Sequence, residues 1–257
     1  MSLPLWSDDT FNPGSIAGLM ISLDARQTST LLDTSDAIIS VDNTAVKTWN
    51  DTSGNANHFT QGTANNRPVW LTNVINGLPA LSFFPGANVS NLTATDSASM
   101  NYTQFYTAGV VVRKEVKVAN ERIWGKWTVT GNLREHSLVV NFSDVFVGMG
   151  MVSPDSGGAA TLATSASTFA INTPAIIEFW YDGSALFIFR NGTQIATQAL
   201  ASINNSTGNY MLGSRDGLAE PFEGYIGAFR AWNVLPTASQ RLANRQDLAR
   251  TWGITIA

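Results

Sequence analysis

Hydrophobic and polar residues alternate along most of this chain, and Gly, Asn, Asp and Pro interrupt the alternation at short intervals. That rhythm belongs to strands and turns. Residues 178–198, EFWYDGSALFIFRNGTQIATQ, show it most plainly. Ile177, Phe179 and Tyr181 point one way and Ile176, Glu178 and Trp180 the other, while further on Leu186 and Ile188 oppose Phe187 and Phe189. Asp182-Gly183 and Asn191-Gly192 tolerate the positive φ that two-residue hairpin turns require, so the segment predicts a three-stranded antiparallel meander.

Residues 108–112, 122–127, 137–142 and 145–151 predict further strands, and Leu81 with Phe83 a short one, whereas 159–167 is too bland to place. Near the C-terminus, Ile226, Phe229 and Ala231 are all core candidates, although strict alternation from Ile226 would turn Phe229 outward. An extra residue near Gly227-Ala228 restores the phase, which predicts a β-bulge there. Pro236-Thr237 with Gln240 is a capping-box start, Ala238, Leu242, Ala249 and Trp252 fall near one stripe, and Gly253 ends it. One short helix packed on a β-sandwich is the expectation.

The order of these motifs carries a resemblance. A "DG" hairpin, an "NG" hairpin, the YMLGS strand at 210–214 and FEGYIGAFRAWN at 222–233 resemble the C-terminal half of laminin G-like, concanavalin A-like jelly rolls. VKTWNDTSGNANHF at 46–59, NGLPALSF at 76–83 and the closing LANRQDLARTWGI at 242–254 are similar to concanavalin A-like domains of phage and bacterial surface proteins. The resemblance implies an all-β, two-sheet antiparallel jelly-roll sandwich with a short C-terminal α-helix. It places one domain over residues 15–257, preceded by an N-terminal arm over 1–14. Such folds host lectins, adhesion modules, glycosidases and coat proteins, so function rests on sites.

Composition narrows the choice. Charged residues make up only 13% of the chain against 44% hydrophobic, so Asn, Ser, Thr and Gln must supply much of the polar surface, as suits a sugar binder or a member of an assembly. The net charge of −4, without a basic cluster, gives no nucleic-acid footprint. No cysteine is present for disulfides or thiol catalysis. MSLPLWSDDTFNPG has neither the basic start nor the apolar core of a signal peptide, and no apolar run is long enough to insert in a membrane.

Retaining glycosidases need two carboxylates about 5 Å apart, which the concanavalin-like glucanases place two or four residues apart on one strand. Glu115, Glu121, Glu135, Glu178, Glu220 and Glu223 each lack such a partner. His58 and His136 show no metal-ligand spacing and read as structural. No cofactor is expected. Asp51, Asn55, Asp155 and Asp216 are loop oxygens of the type a structural calcium takes, without the acidic array that would fix one.

Aromatic side chains are the other sugar-binding tool. Of the eight Trp, Trp49, Trp180, Trp232 and Trp252 fall in segments that the resemblance assigns to packing. Trp70, Trp124, Trp127 and Tyr102 fall outside them. Trp124 and Trp127 occupy opposite faces of one strand, so the sheet can bury only one, and Trp124, beside Arg122 and Lys126, is the exposed candidate. Trp124, Trp70, Tyr102 and Arg122 are therefore the expected ligand-binding residues. The expected role is non-enzymatic: a virion or surface structural protein with lectin-like capacity, such as a phage decoration, fibre or tail component, made in the host cytoplasm. Its partners would be a surface glycan and, through Trp6 and Phe11, other virion subunits or further copies. The alternative is a glycan-active enzyme, hydrolase or lyase, on the same fold.

Overall fold

The computed structural model describes residues 11–83, 89–114, 120–141, 143–151 and 160–257. Leu3, Leu5 and Trp6 of the arm, Glu115, and the 153–158 loop with Asp155 lie outside them. In chain order the strands are β1 Leu19–Asp24, β2 Leu31–Leu32, β3 Thr44–Ala45, β4 Thr48–Trp49, β5 Phe59–Thr60, β6 Val69–Ile75, β7 Leu78–Ser82, β8 Leu92–Ala94, β9 Phe105–Arg113, β10 Glu121–Thr128, β11 Leu133–Val140, β12 Val145–Gly150, β13 Thr161–Thr168, β14 Ala175–Tyr181, β15 Ala185–Arg190, β16 Thr193–Ala199, β17 Tyr210–Leu212 and β18 Gly224–Trp232; helix α1 spans Ala238–Trp252.

Among the described residues these strands form two antiparallel sheets. The first runs β16-β15-β14-β9-β18-β7-β6-β3, with β1 also on β18, and the second runs β13-β12-β11-β10-β17-β8-β5-β4-β2. The result is the expected two-sheet sandwich with one C-terminal helix.

The meander alternates as its sequence requires. Ile177, Phe179, Tyr181, Leu186 and Ile188 enter the core between the sheets, while Ile176, Trp180, Phe187 and Phe189 face the other side of the first sheet. That outer side is itself buried, because α1 lays Leu248, Ala249 and Trp252 on Tyr106, Val110, Ile176 and Trp232. Strands β9 and β14, with cover on both faces, are buried at every position. Asn191-Gly192 forms the expected turn with both φ positive, at 51° and 90°. The neighbouring turn is displaced by one residue: Asp182 N–H donates to Ala185 O at 3.2 Å, so Gly183-Ser184 is its centre, and the Asp182 carboxylate accepts the N–H groups of Ser184 and Ala185.

The bulge in β18 is present. Its register on β9 shifts between Ile226 and Ala228, which puts Ile226, Phe229 and Ala231 inside and Ala228 outside. Helix α1 has the capping box at Thr237 and Gln240 and a left-handed Gly253 at its end. Its buried stripe is Asn244, Leu248, Ala249 and Trp252, so Ala238 and Leu242, expected to be inside, are solvent-facing. Phe11 lies half-buried on the sandwich, under the Arg230 guanidinium at 5.6 Å from its ring.

Strand β10 departs most from simple alternation. Its register on β11 shifts between Arg122 and Trp124 and again between Lys126 and Trp127, around Gly125 at φ 156°. The first shift puts both Ile123 and Trp124 in the inner core, and Trp124 is fully buried against Phe229, ring centroids 5.1 Å apart. Gly109 opposite leaves room for the indole, since a Cβ there would stand 2.8 Å from it. The expected exposure of Trp124 is thus incorrect, for a bulge counts two residues where alternation counts one.

Candidate functional site

Because β9 runs antiparallel to both β14 and β18, its beginning meets their ends. Strand β16, two hairpins from β14 in the same sense, ends there too. The loops that leave these strands enclose a depression of about 830 Å³ at one end of the sandwich. That size lies within the range of small-ligand pockets, about 300–1,000 Å³.

Its polar groups are amides and hydroxyls, from Asn101 to Gln104, from Ser202 and Asn205, and from Asn233, while Tyr102, Tyr181, Ile203 and Val234 add apolar ground that makes up the larger share of the surface. The side chains are positioned by bonds to the loops. Gln104 Nε2 donates to Asp182 O at 2.5 Å, and Asn233 Nδ2 donates to Ser99 O at 2.9 Å. The amides of Asn101 and Asn205 are exposed. Tyr181 has its ring packed in the core, and burial, then Asp182, raises its hydroxyl above the ordinary tyrosine range.

A closed polar network supports the floor. The Tyr102 hydroxyl hydrogen-bonds His136 Nδ1, which also lies 3.1 Å from Glu135 Oε1, and His136 Nε2 is 3.1 Å from the Tyr210 hydroxyl. The imidazole stacks on Phe105 with ring centroids 4.3 Å apart. Glu135 Oε2 accepts Ser206 N–H at 2.9 Å and faces Lys126 Nζ at 3.1 Å, and the same ammonium reaches Asp96 at 2.8 Å and Ser206 O at 2.7 Å. Burial, reinforced by Lys126, pushes His136 well below its ordinary value, so the ring is neutral. Burial likewise pushes Glu135 well above the carboxylate range against the pull of Ser206, and holds the Tyr210 hydroxyl protonated. Glu135 and His136 have no exposed surface, so this network holds Tyr102 in place and cannot reach a ligand.

The opposed shifts make a test. In Glu135→Gln the neighbouring carboxyl becomes a neutral amide and His136 alone titrates. The unfolded chain then takes up a proton below the ordinary 6.5 that the buried ring refuses, so stability should fall as pH drops from 6.5 toward the depressed folded value. Thermal midpoints between about pH 5 and 8, compared with a Glu135→Gln/His136→Asn double variant, read that difference. A midpoint difference that grows on acidification would contradict a neutral His136.

Of the four residues expected to bind ligand, only Tyr102 lines the depression. Trp70 is in the core, where its Nε1 donates to Ala25 O at 2.9 Å. Arg122 is on the face opposite Trp124, buried, paired with Glu220 at 2.6 Å and lying over the Trp127 ring at 5.1 Å, so both Trp of this strand are covered. Tyr181, Gln104, Asn205 and Asn233 were not singled out by sequence, since they come from the end of β14 and three separate loops. Their shared signal is the clustering of Asn, Gln, Ser and Thr just outside strand ends.

Two of the loop residues considered for calcium, Asp51 and Asp216, have carboxylates that are already engaged, whereas Asn55 uses its Nδ2 to donate to Leu19 O at 2.8 Å. Asp51 accepts the N–H groups of Ser22, Ser53 and Asn57, and Asp216 those of Thr130 and Arg215 side chain. Among the described residues no three His, Asp or Glu converge on a point. His58 is structural: its Nδ1 accepts Asp51 N–H at 3.0 Å.

No protein-family model matches the sequence, and no curated protein does. The fold is similar to the binding domain of Paraclostridial mosquitocidal protein 1, at 12% identity and a TM-score of 0.62 over 95% of this chain and 56% of that one. It is similar to the binding domain of botulinum neurotoxin DC in complex with SialylT, at 13% identity and a TM-score of 0.60 over 95% of this chain and 55% of that one. Domain 4 of AbnA, a GH43 extracellular arabinanase from Geobacillus stearothermophilus in complex with arabinotriose, matches at 13% identity and a TM-score of 0.54, over 90% of this chain and 98% of that one. The chain spans just over half the length of the two toxin domains. At these identities the likeness is one of fold, a β-sandwich.

Proposed function

We propose that this protein is a non-enzymatic glycan-binding β-sandwich, with its ligand seated in the depression at the loop end, and that it serves as a structural component of a virion or cell surface. The carrying observation is the depression itself: a preformed hollow whose polar groups are amides and hydroxyls, the partners that sugar hydroxyls use. The sandwiches of similar fold that hold SialylT and arabinotriose support it. The carboxylates argue against hydrolysis. Among the described residues none lines the hollow, Glu178 is paired with Arg245, and Glu135 is sealed beside Lys126. The surface role draws on the resemblance of residues 46–83 to phage and bacterial surface domains and on the weakly charged exterior.

Affinity electrophoresis through gels containing arabinan, galactan or glucan should retard the protein, and Gln104→Ala or Asn205→Ala should abolish the retardation, Asn205→Ala without changing the thermal midpoint. Release of reducing ends from those polymers would reject the non-enzymatic part. A strictly monomeric chain in concentrated solution, by analytical ultracentrifugation, would count against the assembly role.

A further inference from the structure

We infer that the depression selects uncharged glycans and rejects sialylated or other acidic ones; this rests on the glycan reading and sharpens it to a ligand class. Among the described residues the lining contains no Lys, Arg or His. A sugar carboxylate seated there would lose water with no cation to meet it, which costs more than an uncharged hydroxyl pairing with an amide.

A cation beneath the floor is already engaged. Lys126 Nζ lies beneath Tyr102, 6.0 Å from its ring, has no exposed surface, and is held by Asp96, Glu135 and Ser206 O. Its charge is met by the Asp96 carboxylate and the Ser206 carbonyl, so little of it reaches the hollow. The rim adds the opposite sign. Asp182 sits between the lining residues Tyr181 and Gly183, and against burial the hydrogen bonds from Ser184 and Ala185 hold its carboxyl below the ordinary range, so it is ionised at neutral pH. The chain as a whole carries −4. What the hollow does offer is neutral: the exposed amides of Asn101 and Asn205, the Tyr181 hydroxyl, and Val234, 41% exposed, as apolar ground for a ring face.

The test is a glycan array that carries neutral and acidic oligosaccharides, including lactose, arabinotriose and α2,3-sialyllactose, read with the full chain and then with Gln104→Ala and Asn205→Ala. Neutral glycans should be bound and lost in both variants, and a sialylated glycan should bind at least about tenfold more weakly than its neutral core, because its carboxylate is left unpaired. Val234→Arg, which places a cation on the rim, should recover sialyllactose binding by up to about fivefold, the most an exposed ion pair supplies. Equal or tighter binding of acidic glycans, lost in the same two variants, would overturn the selection while leaving the glycan reading intact. Binding unaffected by both variants would overturn the assignment to this hollow, and an array with no bound glycan would overturn both readings.

Discussion

Trp124→Ala should lower the free energy of unfolding by about 3–5 kcal/mol, the range for removing a large aromatic from a core that cannot close over the space. The indole is fully buried between the sheets, packed on Phe229 and fitted over Gly109, whose missing Cβ is what admits it. Its neighbours are strand residues pinned by ladders on both sides, so the void will not collapse. Trp124→Phe should cost much less, because among the described residues the indole N–H has no hydrogen-bond partner and its loss removes a buried unmet donor. Denaturant midpoints at unchanged m-value measure both. A loss under about 1 kcal/mol in the alanine variant would mean that Trp124 does not fill the core.

Glu178→Ala should be of similar size, about 3–5 kcal/mol, for a different reason. This carboxylate has no exposed surface, accepts the Tyr106 hydroxyl at 2.6 Å and Arg245 Nε at 2.6 Å, and so ties helix α1 to β9 and β14. Burial first, and then Glu178, hold the Tyr106 hydroxyl well above the ordinary range, so it remains a donor. Truncation leaves Arg245 under the helix without its counter-charge. Replacing both partners, as in Glu178→Leu/Arg245→Met, should recover most of the loss, since an apolar pair needs no desolvation of charge. Hydrogen exchange of the Ala238–Trp252 amides locates the effect: protection should fall in the single variant and return in the double. An unchanged helix in Glu178→Ala would show that this ion pair does not hold it.

The readable parts of the sequence were those in which local chemistry and long-range packing agree. Asn191-Gly192 must turn wherever it lies, and the residues around it alternate without interruption, so the meander and its two faces follow directly. The bulge in β18 was readable because two core-sized side chains, Ile226 and Phe229, stand three apart and cannot share a face without an extra residue. In β10 no such conflict was visible. Arg122, Trp124 and Lys126 obey alternation perfectly on paper, and Gly125 alone hints that the backbone departs from it. Arg122 and Lys126 also misled as surface markers, since Glu220 and Asp96, remote in sequence, and Glu135 on the neighbouring strand allow both cations to be buried. The hollow was hidden for a related reason. Its residues gather only when the ends of β9, β14, β16 and β18 are brought together, and no window of sequence contains them. The helix stripe failed more modestly: Asn244 replaces Leu242 because Arg230 and Tyr106 provide polar partners on the sheet beneath.

Strand β18 sits near the middle of its sheet, with β9 on one side and β1 and β7 sharing the other. Among the described residues, the last strand in chain order is thus the one that joins the first to the rest. Until Gly224–Trp232 has left the ribosome, β1 has no ladder to enter, and β9, apolar on both faces, has an open edge. Pairing over such sequence separations is slow, and an unpaired apolar edge invites the wrong neighbour. The nascent chain must therefore wait for Trp232 to emerge before it can close this sheet, and its yield in a cell should depend on holdase chaperones more steeply than its final stability would suggest.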